Sequence, residues 1–176
     1  MLEERPTTQW EANKAWADSF APHVEAVIRK VAGTLVRLLI APTDIDVKKA
    51  ADYIVQIPSG DVACRIRRHS GEWRKDLTLR YRVSSGTPTE SDKLREENVR
   101  WYLYAWADDT SFVDWMFVDL AKVRRARLID LAIEHEQLVH LPDGSSFIWI
   151  SADDLYFVGA IVEATFPPTA QAIGSW

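Results

Sequence analysis

The residues best suited to chemistry lie between positions 52 and 93, and arginine dominates them. From residue 65 to 82, Arg65, Arg67, Arg68, Arg74, Lys75, Arg80 and Arg82 stand against only Glu72 and Asp76, a net +5 within a chain of formal charge −5. Guanidinium groups fork onto phosphate oxygens and stay charged, so the cluster suits nucleic acid or another acidic partner. The competing reading is a solvated or salt-bridged strand face, and the two stand level because adjacent runs repeat the pattern. Downstream, Glu90 and Lys93 are one helical turn apart. They either line one cleft or form an ordinary helix ion pair, and the ion pair is favoured. Tyr102, Tyr104 and Trp106 alternate along one run and suit base stacking or core packing, with packing favoured. The single cysteine, Cys64, falls on an apolar face by period and reads as a structural thiol.

The elements that position these residues follow from periodicity. Residues 8–33 read as a helix or a kinked helix pair, with Trp16, Phe20, Val24, Val27, Ile28 and Val31 on one stripe, a break near Pro22 and a stop at Gly33. Residues 34–40 fit a strand or the end of a helical arm. DYIVQI (52–57), the turn residues Pro58, Ser59 and Gly60, and DVACRIRR (61–68) read as a hairpin. Its second strand puts Val62, Cys64 and Ile66 on one face and Arg65 and Arg67 on the other. DLTLRYRV (76–83) alternates in the same way. If these two strands pair as an antiparallel meander over one core, Arg65, Arg67, Arg80 and Arg82 form a single patch.

Thr87 to Glu90 predict a capping box with Pro88 at the first helical position, opening a helix over 90–99 that is either mostly solvated or lines a polar cleft. WYLYAWA and VDWMFVDL predict two strands turning at 108–111, and residues 121–135 predict one helix. A hairpin around Pro142, Asp143 and Gly144, a helical turn capped by Ser151 and a last strand follow, then a loose end from 167. The expected organisation is one domain over 1–176, its core at 34–135 and a C-terminal hairpin and strand at 136–166.

At 176 residues, 47% of them hydrophobic and 27% charged, the chain is long enough for a proper core. One cysteine forms no internal disulfide, no Cys and His set has zinc spacing, and no apolar run approaches the roughly 20 residues of a bilayer span. The opening MLEERPTTQW lacks the basic and apolar regions of a signal peptide. The expectation is a soluble, cytoplasmic protein without a membrane partner.

The order of helix, acidic strand, hairpin strand, further strand, capped helix and aromatic strand resembles the PD-(D/E)XK nuclease-like superfamily. The matching elements are Asp52, residues 62–68, 76–80, 89–94 and 101–106, so the resemblance covers roughly residues 10–120. It implies an α/β (α+β) fold with a central mixed, largely antiparallel sheet flanked by helices and a restriction-endonuclease-like core. In that superfamily an aspartate and a second carboxylate hold a divalent ion while a lysine helps activate water. Asp52 matches the first aspartate, while an aspartate before a strand is more often a turn or cap residue, and that reading is favoured over a metal ligand. At the second motif, where Glu or Gln, any residue, then Lys is expected, this chain has Arg65, Ile66 and Arg67, so a metal ligand has become a cation.

The expected function is therefore a nuclease-like protein without efficient metal-dependent cleavage, with no cofactor. It binds nucleic acid or another acidic partner through Arg65, Arg67, Arg68, Arg80 and Arg82. One alternative is an active, atypical magnesium-dependent nuclease, with Asp52, Glu90 and Lys93 catalytic and Asp52, Asp61 and Asp76 holding the metal. The other is a protein-interaction module that inhibits a nucleic-acid enzyme.

Overall fold

In the computed structural model, residues 9–32, 37–40, 53–57, 60–69, 75–83, 85–96 and 99–168 are described. Asp52, Gly33, Arg74, the Pro58–Ser59 turn and most of the tail lie outside them. The elements run α1 (Gln9–Asp18), α2 (Ala21–Ala32), β1 (Arg37–Ile40), β2 (Tyr53–Ile57), β3 (Gly60–Arg68), β4 (Asp76–Arg82) and α3 (Glu90–Arg95). They continue with β5 (Trp101–Ala107), β6 (Phe112–Asp119), α4 (Leu120–Arg125), α5 (Leu128–Glu134), β7 (Leu138–His140), β8 (Ser146–Ser151), α6 (Ala152–Phe157) and β9 (Ile161–Ala164). The architecture is a mixed, largely antiparallel β-sheet flanked by α-helices.

Among the described residues, six strands form the main sheet in the order β1-β2-β3-β5-β6-β9, and three form a second sheet in the order β4-β8-β7. Among the described strands of the main sheet only β3 and β5 run parallel, with Arg65 opposite Tyr104 and Arg67 opposite Trp106. Parallel pairing requires a crossover. Here the chain between β3 and β5 supplies β4 and α3, which places both elements over the arginine-bearing face of β3.

The expected meander of β3 with β4 does not form. β4 pairs antiparallel with β8, Leu77 opposite Ile150 and Leu79 opposite Ile148. The side of β3 away from β2 is taken by β5, all but its first residue buried, as suits a central strand covered on both faces.

Two hydrophobic clusters occupy the two faces of the main sheet. On one face Phe20, just before α2, and Val24 and Ile28 of α2 pack against Val62, Cys64, Ile66, Leu103 and Phe117. Pro22 stands at the second position of α2, where its missing N–H costs no helical bond. On the other face Ala63, Tyr102, Tyr104, Trp106, Met116 and Val118 meet Leu77, Leu79, Ile148 and Ile150 of the second sheet, with α3 to α6 closing the sides. Full burial of each such aliphatic side chain contributes about 1.5–3 kcal/mol. The aromatic run on β5 is thus core, and Cys64 is a buried thiol among apolar neighbours.

Two further expectations change. Residues 121–135 form two helices, because Arg127 adopts a left-handed conformation (φ 55°). That turn lets Leu120 and Val123 as well as Leu128, Ile129 and Ala132 reach the same cluster. The 90–99 helix is shorter than its periodicity suggests, ending at Arg95, and it is capped by Thr89 rather than Thr87. Glu90, Ser91 and Leu94 are buried, so of the two readings the helix lines a polar interior rather than standing in solvent. No described helix is long and apolar enough to cross a membrane.

Candidate functional site

The two-residue shift of the cap decides the fate of Glu90. In a box opened at Thr87, the Glu90 carboxylate would reach back to the cap backbone. Instead Thr89 caps α3, and its N–H donates to Asp92 Oδ2 at 2.9 Å. Glu90 becomes the first helical residue and turns inward between the sheets. Arg124 fixes the far end of α3 by donating to the carbonyls of Leu94, Glu96 and Val99, each at 3.2 Å. Arg95 ties the same helix to Asp130 of α5 at 3.0 Å.

Glu90 is 4% exposed and sits at the centre of a polar cluster. Its Oε1 accepts from Arg65 Nε at 3.0 Å and from the Tyr102 hydroxyl at 2.9 Å. Its Oε2 accepts from Arg67 Nη2 at 3.1 Å and from the backbone N–H of Arg80 at 3.2 Å. A carboxylate offers about four lone-pair positions, and here all are filled. Burial alone would push this carboxyl up; Arg65 and Arg67 foremost, then Tyr102 and the Arg80 N–H, overcome it and hold the pKa at about 2. Burial, and then the charge of Glu90, push the Tyr102 hydroxyl well above its ordinary value, so it stays a donor.

The cluster also joins the two sheets. β4 pairs with β8 on one side only, and its other edge faces β3 and β5. On that edge the Thr78 carbonyl accepts from Arg67 Nη2 at 3.3 Å and from the Tyr104 hydroxyl at 3.4 Å, while the Arg80 N–H donates to Glu90. Side chains thereby stand in for a neighbouring strand, satisfying backbone groups that would otherwise be buried unpaired. Arg67 Nε donates to the Tyr104 hydroxyl at 3.2 Å, completing the network.

The arginines singled out in the sequence therefore separate. Arg65 and Arg67, at 22% and 30% side-chain exposure, are bonded to Glu90. Arg68 lies at the end of β3, 4.1 Å over the Trp16 ring and 3.6 Å from Asp109. Arg80 and Arg82 project to solvent from the second sheet, stacked over Phe147 and Tyr81 at 5.3 and 5.8 Å, with no ion-pair partner among the described residues. One patch has become an internal pair and an external pair.

The acidic candidates are also spread. Asp61 is near the start of β3 in the main sheet, and Asp76 opens β4 in the second sheet opposite Ser151. Among the described residues no three His, Cys, Asp or Glu side chains converge as a metal site would require. Lys93 is not among the partners of Glu90; its charge acts on Asp92. The role of Tyr102 and the Arg80 N–H was not foreseen. The only signal for it was a carboxylate in a helix whose neighbours on β5 carry hydroxyls. Compared with protein-family models, curated proteins and solved structures, the chain matches none.

Proposed function

We propose that the protein binds nucleic acid on a restriction-endonuclease-like scaffold and does not cut it. The observation that carries this reading is the division of the arginines around Glu90. A carboxylate with every acceptor position filled and a pKa of about 2 has no lone pair left for a divalent ion and is a poor base for water. Arg80 and Arg82, by contrast, are solvent-facing cations without ion-pair partners among the described residues, the state in which arginine reaches phosphate oxygens. The strongly charged interior supports the scaffold, and the outward arginines carry the contact.

A mobility-shift series with wild-type protein tests both halves. Labelled 20-mer oligonucleotides are titrated at about 50 and 200 mM salt, with and without magnesium or manganese. The expected result is binding that weakens with salt and an oligonucleotide that stays intact with either metal. Absence of binding at the lower salt removes the binding half. Metal-dependent cleavage that disappears in Glu90→Gln removes the other.

A further inference from the structure

Resting on the proposal that the chain binds nucleic acid, we infer that the outer face of the second sheet takes unpaired bases, stacking them on Phe147 and Trp149 while Arg80 and Arg82 hold the flanking phosphates. The strand β8 alternates strictly: Ser146, Ile148 and Ile150 are buried, and Phe147, Trp149 and Ser151 are partly exposed on the opposite face. Tyr102, Tyr104, Trp106 and Phe166 are packed into the core beneath, but Phe147 and Trp149 belong to neither hydrophobic cluster. Both rings keep part of their surface accessible on the outer face of the sheet, outside either core cluster, and an amphipathic ring so placed can take a partner.

The neighbours across the ladder complete the surface. Arg80 stands opposite Phe147 on one side and Val139, half exposed, stands opposite it on the other. Trp149 faces the small Thr78 across the pair, and its indole N–H has no hydrogen-bond partner among the described residues. Side chains two residues apart on a strand stand roughly 6.6 Å from each other, about twice the 3.4 Å rise of stacked bases, so the two rings are separate platforms; at Phe147 a base takes the place of the Arg80 guanidinium, which lies 5.3 Å from the ring centroid. Arg80 and Arg82 are both exposed near the end of β4, with a bulge between them that brings Arg82 opposite Ser146. The carboxylates of this sheet are Asp76, opposite Ser151, and Asp143 in the turn before β8, which accepts from the Ser145 N–H and hydroxyl and also feels the charge of Arg80, though no ion pair between them is formed. The middle of the face thus presents rings and cations.

This chemistry selects single strands. In a duplex the base faces are already stacked and only edges and phosphates are offered, whereas an unpaired base can lie on an aromatic ring. DNA and RNA single strands share that chemistry, and both belong in the test.

Fluorescence anisotropy with labelled oligo(dT), oligo(rU) and a mixed-sequence duplex, each of 20 nucleotides per strand, reads the inference directly. The expected result is tighter binding to at least one single strand than to the duplex. Trp149→Ala and Phe147→Ala should each weaken single-strand binding about 5- to 100-fold while leaving duplex binding and the circular dichroism spectrum unchanged. Trp149→Phe, which keeps a ring, should retain most of the affinity. Equal affinity for duplex and single strands in wild type, or single-strand binding indifferent to both alanine variants, overturns base stacking yet leaves nucleic-acid binding standing. No binding to any probe at low salt overturns that underlying reading as well.

Discussion

Arg65 and Arg67 on β3 and Arg80 and Arg82 on β4 come from strands with the same alternation, yet they end in opposite environments. The β3 pair points at the interval between two sheets, where Glu90, Tyr102 and Tyr104 meet it. Arg80 points away from that interval, because Leu77 and Leu79 occupy the inner face of the second sheet, and Arg82, beyond a bulge in the pairing with β8, is exposed as well. Alternation assigns residues to faces, but the sheet in which a strand is placed decides what covers each face. One arginine pair therefore organises the fold and the other is left for a partner.

The largest effect that could break this contrast is on stability. Removing the carboxylate in Glu90→Ala leaves Arg67 inside with only the Tyr104 hydroxyl and the Thr78 carbonyl and opens the edge of β4. Loss of about 3–5 kcal/mol is expected, read from urea denaturation midpoints. A midpoint equal to wild type would show that the cluster contributes nothing. Arg80→Ala keeps the backbone N–H that Glu90 uses, so its midpoint should stay close to that of wild type.

Acid should act on the inner cluster with nearly the same weight. The folded pKa of Glu90, about 2, lies below its ordinary value of 4.5, so its contribution is fully present above about pH 4.5 and is lost as pH falls toward 2. The shift corresponds to stability on the order of 3 kcal/mol. Denaturation midpoints of wild type should drop across that window more steeply than those of Glu90→Gln. Parallel curves for the two proteins would mean that other carboxylates govern the acid response.

Tyr102→Phe removes one hydrogen bond to a buried charge and should cost about 1.5–3 kcal/mol. A double-mutant cycle with Glu90→Gln should then give a coupling above about 0.5 kcal/mol, and strict additivity would place the hydroxyl outside the network. The smallest effect belongs to the outer pair: Arg82→Ala should move stability by no more than about 0.5 kcal/mol, since this arginine only stacks on Tyr81. A larger loss would make it a structural residue and blur the division.

Local features of the chain were readable from the sequence because they rest on local physics. The break near Pro22, the β5–β6 turn at 108–111, the Ser151 cap and the hairpin through Pro142, Asp143 and Gly144 depend on backbone restrictions within a few residues. The parallel pairing of β3 with β5 and the placement of β4 in a second sheet depend on contacts more than 30 residues apart, as between Arg67 and Tyr104, which no local pattern encodes. For the candidate site, Glu90 and the arginines could be named, but their mutual neutralisation could not. It follows from the crossover that lays α3 over β3. The sequence signature for the cap at Thr87 was sound in type, yet the Thr89 and Asp92 pair offers an equivalent box two residues later, and burial of Leu94 goes with the second.

The division between inner and outer arginines is tested most directly by the salt dependence of oligonucleotide binding in the Arg80→Ala/Arg82→Ala double variant. With both phosphate contacts removed, the slope of log affinity against log salt should fall by roughly 1.4–1.8 relative to wild type, while the urea midpoint stays in place. A slope and affinity equal to wild type, in a variant that remains folded, would contradict the assignment of Arg80 and Arg82 as the binding pair.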